Sequence, residues 1–153
     1  HHKRDKRGVY PLWVAVEEMT FGTLSQFYKN MLEADREGLA QQYFGRKSVY
    51  IENYLQCAVV ARNIAAHGGR FYNRTRLSPA VKLPLMMRRN NVDNSSPFAY
   101  FYAIFELLPD ADKFSYIREM EKLFHKYPAA ELFRMGFPVN WRALLNVPSE
   151  SDT

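Results

Sequence analysis

A long helix is predicted by residues 48–69, which read SVYIENYLQCAVVARNIAAHGG. Ser48 can cap its N-terminus, and Gly68 with Gly69 supplies the stop. From Ser48 to His67 the helix would be about 30 Å long at the standard rise. Its sequence is apolar except for one polar stripe, so the helix is expected to pack into a core.

A second long amphipathic helix is predicted upstream, where Pro11 can open it. Its inward positions are Leu12, Val16, Met19, Thr23, Phe27 and Met31, and its outward positions are Glu18, Gly22, Ser25 and Lys29. Asp35 offers an N-cap to a shorter helix that ends near Phe44, before Gly45.

Residues 70–95 are rich in Pro and Asn and have no sustained periodicity, which predicts a long irregular excursion over the surface. Ser96 and Pro97 then open a helix over 98–108, whose nearly continuous apolar sequence indicates a buried central element closed by Pro109.

The C-terminal third is also expected to be helical. Asp110 or Asp112 can start a helix that ends before Pro128, and short helical pieces are predicted over 129–135 and 139–145. The inward positions of the longer helix are Phe114, Ile117, Met120, Leu123 and Phe124.

The predicted fold class is all-α, because no stretch shows the period-two alternation of strands at useful length. The 153 residues fit one domain. We expect a flexible basic lead-in over 1–10, a single helical domain over 11–147 and a polar tail over 148–153.

Composition limits the classes of protein. Hydrophobic residues make up 47% and aromatic residues 15%, which supports a folded core. Cys57 is the single cysteine and is expected to be a buried apolar group, so no intrachain disulfide can form. No apolar run is long enough to span a bilayer. The expectation is a cytoplasmic protein with no membrane partner.

The positive charge is concentrated in one part of the chain. The net charge is +5, and no Asp or Glu occurs between Arg62 and Arg89. The cations in this basic run are Arg62, Arg70, Arg74, Arg76, Lys82, Arg88 and Arg89. Either a solvated loop or a surface that contacts a polyanion would have this composition.

A polar stripe on the long helix is a candidate site. On an ideal helix, Glu52, Gln56, Asn63 and His67 share one face, whereas Arg62 lies roughly 140° around the cylinder from His67. The two can meet if the Arg62 side chain reaches back, if the helix loosens at Gly68, or if two copies of the helix face each other.

The string RNIAAH at residues 62–67 resembles the arginine and histidine motif of HEPN-type ribonucleases. Extended through GGRFYNR at 68–74, it resembles the abortive-infection (Abi) family of phage-resistance proteins, in the AbiD/AbiF-like group. The stretch YPLWVAVEEMTFGTLS at 10–25 resembles a second characteristic segment of that family. The resemblance covers roughly 9–145. Family members are usually about twice this length, so the chain resembles a C-terminal portion.

This resemblance implies a HEPN-like bundle and a homodimer that cleaves RNA in phage defence without metal or cofactor. The catalytic residues would be Arg62, Asn63 and His67. The RNA-binding residues would be Arg70, Tyr72, Asn73, Arg74 and Arg76. Imidazole suits acid and base roles because its ordinary pKa is about 6.5.

Each role has a structural alternative. His67 can be a helix-end residue, Arg62 can pair with Glu52 or another carboxylate, and Asn73 can be a turn residue. Phe71 and Tyr72 are more typical of packing. A solvated helix face is the better interpretation of His125.

Two rival functions remain open at the level of sequence. One is a non-catalytic module that binds a structured RNA through the basic run. The other is a helical interaction domain, such as an antitoxin partner, in which the basic run faces an acidic protein.

Overall fold

A computed structural model describes residues 12–145 of the chain. Within this range the secondary structure is helical and contains no strand, which confirms the all-α prediction. The helices are α1 Leu12–Glu17, α2 Phe21–Lys29, α3 Glu33–Phe44, α4 Ser48–Ala66, α5 Leu85–Arg89, α6 Pro97–Leu107, α7 Asp110–Lys126, a 3-10 helix Leu132–Met135 and α8 Trp141–Leu144. The predicted lead-in and polar tail lie outside the described residues.

Helices α4 and α6 form the centre of the bundle, and α2 and α3 pack against α4. Ile51 and Tyr54 of α4 are buried together with Phe98 and Tyr100 of α6. The rings of Tyr54 and Tyr102 meet edge to face at 6.0 Å. Helix α4 was predicted as the long helix and α6 as the buried central element. Together they form the core.

The single helix predicted from Pro11 to Met31 is wrong, because the chain forms two helices, α1 and α2. Thr20 interrupts the pattern: its Oγ1 accepts a hydrogen bond from the Thr23 amide at 3.1 Å and caps α2. A threonine side chain that accepts from the amide three residues further on favours a new helix start over continuation. The predicted faces also fail in α2, where Ser25 is buried and Phe27 is exposed.

Helix α3 starts at Glu33, so Asp35 lies in its first turn and the predicted N-cap at Asp35 is wrong. Its predicted end is confirmed, since Gly45 follows Phe44 with a left-handed φ of 58°.

The capping role predicted for Ser48 is also wrong, because Ser48 is already helical and Lys47 occupies the N-cap position. The Ser48 amide instead donates to Glu37 Oε2 at 2.8 Å. Hydrogen bonding from Ser48, by its side chain first and by its backbone amide second, lowers the pKa of the Glu37 carboxyl. A carboxylate from α3 thus satisfies the N-terminus of α4.

The segment 70–95 is not a surface excursion, and that prediction is wrong. It includes the short helix α5 and contributes five buried side chains, namely Leu77, Val81, Leu83, Met87 and Val92. Proline and the lack of periodicity excluded a long helix here, but they did not exclude burial of an irregular chain.

Helix α6 begins as predicted, because Ser96 Oγ accepts from the Ala99 amide at 3.2 Å and Pro97 occupies the first turn. Helix α7 begins at Asp110 and ends at Lys126. Ile117 and Met120 are buried as predicted, whereas Phe114 is 64% exposed and Leu123 is 55% exposed. The predicted inward face of α7 is therefore wrong at two positions.

The predicted pieces after α7 form a 3-10 helix and the short helix α8. Phe137 lies between them and contacts Phe98, Phe124 and Trp141, with ring centroids 4.8 to 5.6 Å away. This aromatic cluster attaches the C-terminal part to α6 and α7. None of the helices within 12–145 is both long and apolar enough to cross a membrane.

Candidate nucleic-acid interface

The motif helix ends in a glycine turn directly after Ala66. His67 is the C-cap residue and Gly68 adopts a left-handed φ of 67°. The Gly68 amide donates to Ala65 O at 3.1 Å, and the Gly69 amide donates to Ile64 O at 2.7 Å. This pair of bonds is a Schellman motif, which satisfies the last carbonyls of α4 and fixes the direction in which the chain leaves it.

Gly69 is required by close packing. A Cβ atom at this position would lie 2.8 Å from Ile64 Cγ2 and 2.9 Å from Ile64 O. Both distances are too short for a carbon side chain, so only glycine fits there without a shift. The string Gly68-Gly69 thus specifies the backbone that carries Arg70.

The three predicted catalytic side chains are exposed at this end of α4. Arg62 Nη1 donates to Asn63 Oδ1 at 3.1 Å. Within residues 12–145 the His67 ring forms no hydrogen bond and Arg62 forms no ion pair. Arg62 does not pair with Glu52, whose partner is Arg36 at 2.9 Å. The geometry joins Arg62 to Asn63 but does not join either to His67.

The loop after the motif is anchored by its aromatic residues. Phe71 is half-buried and packs on Phe101 with centroids 5.6 Å apart. The Tyr72 hydroxyl accepts a hydrogen bond from the Glu131 amide at 3.4 Å, and the Tyr72 side chain is 40% exposed. The packing role of Phe71 is therefore confirmed, while Tyr72 is both anchored and accessible.

Asn73 occupies the turn of this loop, with a left-handed φ of 58°. Asparagine tolerates that conformation better than most residues. The following amide, of Arg74, donates to Phe71 O at 3.2 Å and closes the turn. The turn role of Asn73 is thus confirmed, and its side chain remains exposed.

All seven cations of the basic run are exposed. None of them forms an ion pair within residues 12–145, although Arg36, Arg46, Lys113, Lys122, Arg134 and Arg142 elsewhere do. In the described part of the chain, neighbouring carboxylates consequently do not neutralise their charge. An anionic ligand would find these side chains unoccupied.

Part of this basic run is held in place by a buried asparagine. The sequence alone did not indicate this residue. Asn53 lies in the middle of α4, and its Oδ1 accepts from the Lys82 amide at 2.7 Å. Its Nδ2 donates to Ala80 O at 3.1 Å. One side chain thus replaces the backbone partners that this irregular segment lacks.

Three further polar groups of α4 and α6 hold the same segment. The hydroxyl of Tyr100 donates to Pro79 O at 2.7 Å, that of Tyr54 donates to Lys82 O at 3.2 Å, and the Cys57 thiol lies 3.7 Å from Pro79 O. Burial raises the pKa of Cys57 to about 12. The sequence feature that could have indicated these contacts is the set Asn53, Tyr54 and Cys57, which lies outside the polar stripe of α4.

A separate cavity of about 810 Å³ contains an ion pair between Arg46 Nη2 and Glu106 Oε2 at 2.6 Å. Arg46 also donates to the Tyr102 hydroxyl at 3.4 Å. The Arg46 guanidinium is thus bound to two side chains of α6. These contacts attach the α3–α4 turn to α6. No group of three or more His, Cys, Asp or Glu residues suited to a metal comes together among residues 12–145.

Comparison with known proteins gives one match. A family model described as Abi-like protein matches residues 1–73, which include both the stretch at 10–25 and the motif through Asn73. The sequence predicted a resemblance over roughly 9–145, whereas the family model matches only as far as Asn73. No curated protein and no solved structure matches the chain. Residues 1–73 of the chain are therefore similar to the Abi-like protein family.

Proposed function

We propose that this chain is a metal-independent endoribonuclease of the HEPN type that acts in abortive infection. The similarity of residues 1–73 to the Abi-like protein family supports a role in this form of phage defence. The observation that carries the enzymatic part is the shared position of Arg62 and His67, both exposed at one helix end, beside cations that form no ion pair within residues 12–145. An arginine and a histidine at this helix end could bind and cleave a phosphodiester.

The chemistry requires little of the protein because RNA brings its own nucleophile. A base removes the proton of a 2′-hydroxyl, the oxygen attacks phosphorus, and an acid protonates the leaving 5′-oxygen. His67 is the acid or base group. Arg62 binds the non-bridging oxygens, which become more negative in the transition state. Asn63 holds the Arg62 guanidinium through its 3.1 Å hydrogen bond.

A homodimer completes the site in this proposal. A single imidazole cannot act as base and acid at the same moment, and Arg62 lies far around the helix from His67. Two copies of α4 related by a two-fold axis would supply two histidines and two arginines to one cleft. Arg70, Arg74 and Arg76 would then bind phosphates on either side of the cleavage point.

The test compares wild-type protein with Arg62→Ala and His67→Ala on labelled RNA in the presence of a chelator. We expect cleavage to fall a hundredfold or more in each variant, the usual order for loss of acid or base help. The matched controls are Arg118→Ala and His125→Ala, which remove the same residue types from exposed positions on α7. Cyclic-phosphate ends formed without metal support the proposal, and equal cleavage by all proteins contradicts it.

The exposed basic run also favours a second candidate, a non-catalytic module that binds structured RNA. It predicts that intact RNA binds with an affinity that falls steeply as salt is raised. An antitoxin-type interaction domain predicts instead that RNA does not bind at moderate salt. The chelator experiment separates these outcomes, because it reports both binding and cleavage.

A further inference from the structure

An aromatic groove begins at Tyr72, inside the proposed RNA-binding loop. Its volume is about 730 Å³, and its rings come from the loop, from α6 and from α7 with the residue after it. These rings belong to Tyr72, Phe101, Tyr116, Phe124 and Tyr127. Five aromatic side chains thus surround one open space on the protein surface.

The mouth of the groove is accessible. Tyr127 is 56% exposed and Leu123 is 55% exposed, and both line the groove together with Tyr72. Aromatic residues that pack only within a core would not leave this much ring surface in water. An exposed apolar groove of this kind indicates a ligand.

Positive charges flank the groove along the chain. Arg70 and Arg74 stand two residues before and two residues after Tyr72, and both are exposed. At the other side, the Lys126 ammonium lies 5.5 Å from the centre of the Tyr127 ring. An occupant with a flat apolar part and attached anionic groups would match this arrangement, and a nucleotide of single-stranded RNA has that chemistry.

Hydrogen-bonding groups are also present at the walls. The Tyr72 oxygen accepts from the Glu131 amide, so its own O–H remains available to donate. Glu119 lines the groove and carries a carboxylate that can accept from an amino group. The edge of a base would therefore find one donor and one acceptor beside the ring surfaces.

We propose that this groove binds an unpaired base of the RNA, next to the nucleotide whose phosphate lies at Arg62 and His67. This inference rests on the proposed function, because it extends the same RNA strand. Stacking dominates the recognition, so all four bases bind and the larger rings of purines are favoured. The groove would make the enzyme select single-stranded positions.

The test uses a short single-stranded RNA with 2′-O-methyl riboses, which cannot supply the nucleophile and stays intact. Oligomers with one abasic position, moved along the sequence, are compared with the complete oligomer. For the wild-type protein, one abasic position is expected to weaken binding about tenfold, the cost of one lost stack. Tyr127→Ala is expected to bind the complete oligomer about tenfold more weakly and to show no further loss at that position.

Two variants provide the controls. Tyr127→Phe keeps the ring and is expected to bind like the wild type. Tyr43→Ala removes another exposed tyrosine, 68% exposed against 56% for Tyr127, from α3, which does not line the groove. Circular dichroism of each variant checks folding, and light scattering checks self-association.

Equal abasic penalties in wild-type and Tyr127→Ala protein overturn the inference. So does a change in self-association of Tyr127→Ala with unchanged RNA affinity, which identifies the groove as a protein-docking surface. The groove and the nuclease can fail independently. If Tyr127→Ala abolishes the abasic penalty but the wild-type protein never cleaves RNA, the result supports the groove and contradicts the nuclease. If cleavage depends on His67 but no abasic position weakens binding, the result supports the nuclease and contradicts the groove.

Discussion

The side-chain oxygen of Asn53 accepts a hydrogen bond from the Lys82 amide at 2.7 Å, which ties the middle of α4 to the basic segment. Because α4 also carries Arg62 and His67, this contact couples the position of Lys82 to that of the motif. An irregular segment that buries Leu77, Val81 and Leu83 needs such partners for its backbone.

Asn53→Ala is expected to lower the free energy of unfolding by about 2 kcal/mol, because it removes the two hydrogen bonds that the buried Asn53 side chain makes to the backbone of Ala80 and Lys82. Urea unfolding followed by circular dichroism measures the change. The control is Gln56→Ala, an exposed position on the same helix, where a change within about 0.5 kcal/mol is expected. Equal stability of the two variants would mean that Asn53 does not hold the segment.

Gly69→Ala is expected to destabilise the protein by about 1–2 kcal/mol, because the new Cβ would lie 2.8 Å from Ile64 Cγ2. Gly38→Ala is the matched control. Gly38 lies inside α3 with no atom within 4 Å of its ideal Cβ, so alanine there is expected to stabilise by up to about 1 kcal/mol. Thermal unfolding should move in opposite directions, and a shift of the same sign in both would contradict the packing at Gly69.

Stability is expected to depend on pH through Glu37, whose pKa is lowered in the folded protein by its hydrogen bonds to Ser48. A lowered folded pKa stabilises above the unfolded value of about 4.3, and this contribution is lost as pH falls through the folded pKa. Glu37→Gln removes the titration. Wild-type protein should be more stable than the variant at pH 6, and the difference should shrink towards pH 3. A difference that is constant with pH would exclude this linkage.

Cys57 is expected to be unreactive in the native protein. Burial raises the pKa of its thiol to about 12, so the thiolate fraction at pH 8 is about a thousandfold lower than at an ordinary thiol pKa near 8.5. A chromogenic disulfide reagent should react at least a hundredfold faster after unfolding in urea. Since Cys57 is the single cysteine, the signal has one source. Rapid reaction of the native protein would show that this part of α4 opens.

Local sequence determined the long helix α4 and the C-terminal ends of α3 and α4. The glycines at 45, 68 and 69 end α3 and α4 because a left-handed or crowded backbone position excludes side chains, whatever the rest of the chain does. Ser96 and Pro97 set the start of α6 in the same local way. The string at 62–74 likewise predicted the resemblance to the Abi family, since such a pattern is a property of sequence alone.

Tertiary structure decided where the irregular and amphipathic parts are buried. Segment 77–83 enters the core because Asn53, Tyr54 and Tyr100 satisfy its backbone groups. Phe114 and Leu123 share the spacing of buried residues but lie outside, since no element within residues 12–145 packs over them. Burial depends on partners distant in the chain, and a periodic pattern does not contain that information.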